Sequence, residues 1–197
     1  MLKELPALTE LNLCANSRFG DGHAKELAKS AELARVRVLH LGFTDVTAAG
    51  VAALVSGRYA PALTVLHLDG QPEYDWEEGI VTGPRIDQED GGPIVEALVA
   101  SKALGAIEEL SLSYHALDDA AVTRFVGAAQ ALPALRRLRL NGCTLTLPAV
   151  KALADSALGA RLLYVNLNDN PNLVKHRAKL KKMFPGAHVE EPFEYVS

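Results

Sequence analysis

The chain has 197 residues, 49% of them hydrophobic, so its length and composition fit one folded domain with a continuous core. Its formal net charge is -4 and its pI is about 5.9, which argues against a surface that holds nucleic acid or an anionic membrane. No apolar run approaches the roughly 20 residues that span a bilayer, and the N-terminus lacks the apolar segment of a signal peptide.

One pattern, L-x-x-L-x-L-x-x-polar, recurs along the chain and predicts a repeated structural unit. Its six copies begin at Leu8, Val36, Leu63, Ile107, Leu135 and Leu162. Successive copies are 28, 27, 44, 28 and 27 residues apart, so a period near 28 is broken once. The break indicates an insertion of about 17 residues, which we place at residues 72–89 as a loop in the third unit.

Each unit is predicted to contain one strand followed by one helix. The fourth and sixth positions of the pattern are apolar and point to the same side of an extended strand, because side chains alternate with period two. After a polar turn, apolar residues recur at spacings of three and four, which is typical of a helix. The helical segments are Ala24-Leu27-Ala28, Val51-Leu54-Val55, Ile94-Ala97-Leu98, Val122-Phe125-Val126 and Val150-Leu153-Ala154.

The ninth position of each unit lies where the chain leaves the strand, so a polar side chain there can bond backbone groups that have lost their strand partners. The six residues are Asn16, Thr44, Gln71, His115, Cys143 and Asn170.

Cys143 is therefore predicted to be a buried structural thiol, whereas Cys14 occupies another position and is expected to be partly exposed. Four repeat steps of about 4.8 Å separate the two cysteines, too far for a disulfide. Two unpaired cysteines and the absence of any Asn-x-Ser/Thr sequence favour a reducing, cytoplasmic location.

The strand motif, the period and the helical segments resemble the ribonuclease-inhibitor-like subclass of leucine-rich-repeat proteins. The resemblance implies an α/β solenoid, a right-handed horseshoe segment with parallel strands on its concave side and helices on its convex side. It covers residues 1–197 as a single domain of about six repeats, closed by a C-terminal capping segment at 173–197 with a polar helix and a last short strand. Members of this family include inhibitors, GTPase-activating proteins, receptors and scaffolds, so the resemblance does not select one function.

Outward strand positions form a polar row across the predicted sheet: Asn12, His40, His67, Ser111, Arg139 and Asn166. His40 and His67 occupy equivalent places on adjacent strands, and Asp69 follows His67 on the same face. This geometry permits a metal-dependent enzyme as one alternative, although a solvated, partner-facing histidine pair is the main interpretation. The sequence has no H-E-x-x-H, P-loop, G-x-S-x-G or G-x-G-x-x-G motif. We therefore predict no enzyme, no metal and no cofactor.

Aromatic and charged residues together on this face favour protein recognition. The predicted partner-binding residues are His40, Phe43, His67, Asp69, Tyr74, Trp76, Tyr114, Arg137, Arg139 and Tyr164. The leading function is a protein-interaction module or scaffold, and the alternative is a regulator of another enzyme. Trp76 lies among acidic residues in the insertion. It is interpreted either as an anchor for a partner with a basic surface or as a pin that holds the loop against the repeats.

The two ends of the chain give further expectations. The basic run Lys175–Lys182 lacks interleaved aromatic residues, so it is interpreted as the solvent side of a terminal helix and not as a nucleic-acid site. The first repeat has almost nothing before it in the sequence. We expect either a longer parent protein or self-association through the first strand, near Leu11, Leu13 and Leu27.

Overall fold

The computed structural model describes residues 7–75, 77, 80–85 and 91–192, and within this part the chain is a mixed α/β protein. The main sheet contains seven strands: β1 Glu10–Asn12, β2 Val38–His40, β3 Val65–His67, β6 Glu109–Ser111, β7 Arg137–Arg139, β8 Tyr164–Asn166 and β9 His188–Glu190. The helices are α1 Asp21–Lys29, α2 Ala48–Val55, α3 Gly92–Ala100, α4 Asp119–Gly127, α5 Leu147–Ala154 and α6 Arg177–Met183. Two further strands, β4 Pro72–Asp75 and β5 Ile80–Pro84, form a separate hairpin.

The seven strands of the main sheet lie side by side in the order in which they occur in the chain, and every neighbouring pair is parallel. The register aligns the same position of each unit, so that Leu39 pairs with Leu66 and Leu110 with Leu138. The predicted parallel strands are confirmed, and so is the α/β class.

The core lies between the sheet and the helices. Leu39 and Leu41, two residues apart in the second unit, are both buried, as the alternation predicts. Consecutive helices from α1 to α5 pack against one another. The first two bury all three apolar residues predicted from spacings of three and four, whereas in α3, α4 and α5 the third residue, Ala97, Val126 or Ala154, is only partly buried. Three of these helices begin at a side chain that accepts a backbone N–H bond, namely Thr47, Asp118 and Thr146.

Short 3-10 turns, which the sequence patterns did not predict, follow four of the helices. They span Ala31–Arg35, Ala60–Ala62, Ala129–Ala131 and Gly159–Arg161, and they return the chain towards the next strand. A further 3-10 turn, Pro171–His176, leads into the predicted C-terminal segment at 173–197, which contains α6 and β9, and β9 pairs with β8. The expected terminal helix and last strand are thus both present.

Three of the six ninth-position side chains bond backbone carbonyls of the preceding unit, as predicted, whereas the Asn16 side chain accepts a bond from Arg18 N within its own unit. His115 Nε2 donates to the Leu68 carbonyl at 2.6 Å, and Cys143 Sγ donates to the Leu112 carbonyl at 3.2 Å. Asn170 Nδ2 donates to the Leu140 carbonyl at 2.8 Å. In each case the acceptor belongs to the preceding unit, so these side chains tie neighbouring units together. Burial raises the pKa of the Cys143 thiol to about 12, which suits a structural and unreactive cysteine.

The insertion in the third unit is partly an antiparallel hairpin, where the sequence analysis expected a loop. Pro72 pairs with Pro84 and Asp75 with Ile80, with an irregularity between Glu73 and Tyr74. The rest of the predicted 72–89 insertion, including Trp76, lies outside the described residues. Within the described part of the chain, no helix is both long enough and apolar enough to cross a membrane.

Candidate functional site

The strand face is the outward side of the main sheet, and its middle row holds the six polar residues predicted from the sequence. His40 and His67 pair directly across β2 and β3. Their Nδ1 atoms are 3.0 Å apart and their rings meet edge to face, with centroids 4.5 Å apart. Each histidine side chain is 18% exposed. The predicted pair therefore exists, but the two rings contact each other instead of standing free in solvent.

Glu109, at the start of β6, is the centre of an ionic cluster on the strand face. Its carboxylate accepts bonds from His67 Nε2 at 3.2 Å, from Arg137 Nε at 2.8 Å and from Arg139 Nε at 2.8 Å. The bond from His67 and those from the two arginines hold the pKa of the Glu109 carboxyl far below its usual range. Glu109 thus stays ionised and holds both arginines close to the sheet.

Tyr164 was predicted as a partner-binding residue, but it is buried, with 7% of its surface exposed. The guanidinium carbons of Arg137 and Arg139 lie 4.4 Å and 5.1 Å from the centre of its ring, and the His188 ring stacks on it at 6.0 Å. The last strand and two cationic side chains therefore cover this tyrosine. The Arg137 side chain remains 46% exposed.

Asp69 does not join the histidine pair to form a metal site. Its Oδ1 accepts bonds from the Ser111 hydroxyl and from the Ser113 backbone N–H. Among the described residues, no group of three or more histidine, cysteine or acidic side chains is arranged to hold a metal ion. The three-residue site permitted by the sequence is therefore not assembled.

The predicted aromatic residues Phe43 and Tyr114 meet at the edge of the sheet where the strands end. Both occupy the eighth position of their units and have left-handed backbone conformations, with φ of 59° and 58°. Their ring centroids are 6.2 Å apart, and the Tyr114 hydroxyl donates to Asp169 Oδ2 at 3.1 Å. Burial, with Asp169 close by, raises the pKa of the Tyr114 hydroxyl. This aromatic pair is half-buried and fixed in place.

The β4–β5 hairpin lies against this same edge. Tyr74 is close enough to influence the titration of Tyr114, and a Cβ on Gly83 would lie 3.3 Å from Thr144 Cγ2 of the fifth unit. Tyr74 is 45% exposed and is flanked by Glu73 and Asp75. We call this surface the hairpin edge. It consists of Tyr74, the acidic residues Glu73, Asp75 and Glu77, and the Phe43–Tyr114 pair.

A cavity of about 330 Å³ opens beside the hairpin edge, between the second and fourth units. Its apolar walls include Leu41, Val51 and Leu68, and its charged lining residues are Asp45, Asp69 and Arg85. A long side chain could place its apolar stem against the leucines and its polar head near the carboxylates. The hydrophobic pattern of the sequence could not reveal this cavity, because its apolar residues belong to the ordinary repeat core.

Two other features escaped the sequence analysis. Leu163 is 60% exposed at the opposite edge of the sheet, one residue before β8. The repeat motif allows any residue at this position, so it did not mark Leu163 as an exposed apolar residue. The role of Glu109 as a hydrogen-bond acceptor shared by His67 and two arginines was also missed. The signal for it was the alignment of Glu109 with Arg137 in adjacent units.

No protein-family model matches the chain, and no curated protein is significantly similar to it. The interpretation of its function therefore rests on the repeat pattern and on the geometry of the strand face.

Proposed function

We propose that the chain is a leucine-rich-repeat solenoid of the ribonuclease-inhibitor-like type that acts as a cytoplasmic protein-interaction module. Parallel strands in chain order, one helix per unit and ninth-position side chains that bond the preceding unit all support this interpretation. In this arrangement the strand face is the concave surface, and the partner meets it from the side of the hairpin edge.

The observation that carries the proposal is the exposed Tyr74 on an acidic hairpin beside the Phe43–Tyr114 pair. Tyrosine contributes a large contact area at a small cost in side-chain entropy, and aromatic residues near the centre of an interface often dominate its binding energy. An insertion that departs from the repeat also gives this chain a surface that the repeats alone do not provide. The hairpin edge is therefore the part of the surface best suited to selective recognition.

The charge of the hairpin edge favours a partner with basic side chains. Glu73 and Glu77 are exposed, and the adjacent cavity is lined by two carboxylates, Asp45 and Asp69, and by Arg85, so acidic groups outnumber basic ones here. Complementary charge chiefly raises the association rate and the selectivity of an interface. We propose that one lysine or arginine of the partner enters the cavity, with its methylene groups against Leu41 and Leu68.

The test compares Tyr74→Ala with Leu163→Ala, because Leu163 is the other strongly exposed large apolar residue described and lies at the opposite edge. A partner is first captured from the native lysate with the wild-type chain, and its affinity for each purified variant is then measured by titration calorimetry. Tyr74→Ala should weaken binding by at least about 2 kcal/mol, whereas Leu163→Ala should leave it nearly unchanged. Equal affinities of Tyr74→Ala and the wild type would remove the hairpin from the interface.

Trp76→Ala distinguishes the two roles predicted for the tryptophan from the sequence. An anchor should lose at least about 2 kcal/mol of binding with little change in the free energy of unfolding. A pin should show the reverse result, which urea denaturation of the same variant would reveal.

A further inference from the structure

Two large apolar side chains are strongly exposed in the described part of the chain, and they lie at opposite edges of the main sheet. Tyr74 is 45% exposed at the hairpin edge, and Leu163 is 60% exposed one residue before β8. Single exposed apolar residues are common on protein surfaces, so exposure alone assigns no role to either. The charges around the two side chains, however, have opposite signs.

The surface around Leu163 is basic. Arg136 lies beside Leu163, whose N–H donates to the Arg136 carbonyl at 2.7 Å, and Arg161 precedes Leu163 by two residues. Both guanidinium groups donate to backbone carbonyls of the segment that leads into β7, at 2.7–3.0 Å. Carbonyls are neutral, so these bonds orient the guanidinium groups without cancelling their charges. Burial and the nearby charge of Arg136 lower the pKa of Arg161. We call Leu163, Arg136 and Arg161 the arginine edge.

The surface around Tyr74 is acidic, because the other charged residues of the hairpin edge are three carboxylates. Each edge also has a charge of the opposite sign beside it. Glu108 neighbours Arg136 in the preceding unit, and Arg85 lines the cavity next to the hairpin. Acidic groups still outnumber basic ones around Tyr74, and basic groups outnumber acidic ones around Leu163. The two edges therefore complement each other.

We propose that a second copy of this chain is a partner of the hairpin edge and binds it head to tail through its arginine edge. In this contact Tyr74 of one copy meets Leu163 of the next, and the carboxylates around Tyr74 face Arg136 and Arg161. Apolar contact at the centre with complementary charges around it is typical of specific interfaces. The inference rests on the proposed function, because it names a partner for the same surface.

The arrangement of the two edges determines what kind of assembly forms. Because the contacting surfaces differ, each bound copy still has one edge open, and further copies add to give a ring or an open chain. The net charge of -4 repels two copies at long range, but physiological salt screens this repulsion beyond about 8 Å. Contacts between facing side chains therefore determine the orientation.

Sedimentation equilibrium of the full chain at low and high micromolar concentration tests the inference. The wild type should form species larger than a monomer as its concentration rises. Tyr74→Ala and Leu163→Ala should each weaken self-association at least about fivefold, which is the equivalent of about 1 kcal/mol. A wild type that stays monomeric throughout would overturn the inference. If that monomer still binds a different protein through Tyr74, the proposed function stands.

An equimolar mixture of Tyr74→Ala and Leu163→Ala tests the head-to-tail arrangement. Each variant alone has one altered edge, but the mixture pairs the intact arginine edge of the first variant with the intact hairpin edge of the second. It should therefore form a one-to-one dimer with the affinity of the wild-type contact and no longer chain. Association no stronger in the mixture than in the separate variants would contradict a contact between unlike edges. Both substituted residues are exposed, so the folds should persist, which circular dichroism checks.

A charge reversal tests the role of the arginines. Arg136→Glu should weaken self-association at least about fivefold, because it places a carboxylate opposite the acidic hairpin edge. Lys25→Glu is the matched control, since Lys25 is an exposed residue of α1 outside both edges and the net charge changes by the same amount. The control should remain close to the wild type. Equal association of the two variants would overturn the charge complementarity, and if Arg136→Glu is misfolded, the mixture of alanine variants decides.

Discussion

Asn170→Ala should be among the most destabilising single substitutions in this chain. Asn170 is completely buried, and its side chain makes five hydrogen bonds to backbone groups. The two hydrogens of Nδ2 are shared among the carbonyls of Leu140, Leu167 and Asn168, which lie 2.8, 3.0 and 3.0 Å from the nitrogen. Oδ1 accepts from the N–H groups of Cys143 and Leu145 at 3.2 and 2.9 Å. Alanine has neither the Nδ2 donor nor the Oδ1 acceptor, so all of these backbone groups lose their side-chain partner.

The expected loss follows from these five bonds. A buried backbone group left without a partner costs about 1–3 kcal/mol, and an ordinary hydrogen bond contributes about 0.5–1.5 kcal/mol net. Leu167 and Asn168 lie near the turn and can relax, so the groups of Leu140, Cys143 and Leu145 dominate the cost. We expect Asn170→Ala to lower the free energy of unfolding by about 3–5 kcal/mol.

Urea denaturation followed by circular dichroism measures this loss, and Asn16→Ala is the matched control. Asn16 occupies the same ninth position in the first unit, but it is exposed, and its side chain accepts one bond, from Arg18 N at 3.3 Å. The control should cost less than about 1 kcal/mol. If both variants lose the same stability, or if Asn170→Ala loses less than about 1 kcal/mol, the ninth-position side chains do not hold neighbouring units together.

Three other substitutions or reactions test the same structure. Leu138→Ala should cost about 2–5 kcal/mol, because Leu138 is completely buried at the centre of β7; a loss under about 1 kcal/mol in a urea melt would contradict the strand register. A thiol reagent should modify Cys14 in the folded protein and leave Cys143 unreacted until denaturant is added; rapid modification of two thiols per native chain would contradict the burial of Cys143. Gly142→Ala should cost about 1–3 kcal/mol, since Gly142 has φ of 64° and a Cβ there would collide with the Tyr114 ring. Stability like that of the wild type would show that the ring can move aside freely.

The parts of the fold that repeat could be predicted from the sequence, because each is determined by local spacing. A shift of one residue would turn Leu39 and Leu41 outwards, so only one strand register buries the leucines. The helices followed from spacings of three and four, and the bond from Asn170 followed from the loss of strand partners at the ninth position.

Non-local contacts could not be predicted in this way. The burial of Tyr164 depends on His188, which reaches it only because β9 pairs with β8. The left-handed backbone at the eighth position was also missed. It is occupied by Phe43 and Tyr114, whereas a pattern search expects glycine or asparagine there. The insertion lacks the two-residue Asn-Gly or Asp-Gly turn that marks a hairpin most clearly, and the weaker signal, Gly79 in the four residues between β4 and β5, was overlooked.

Many polar side chains of the strand face already bond one another, and this limits where a partner can gain binding energy. A partner group that bonds Glu109 competes with His67, Arg137 and Arg139, which already bond its carboxylate. Each such exchange replaces one charge-assisted bond with another and adds little net affinity. Tyr74 is already exposed, and the cavity beside it accepts a side chain without breaking the Glu109 cluster. Affinity should therefore concentrate at the hairpin edge, and the bonded centre of the strand face should act mainly by excluding partners of the wrong shape or charge.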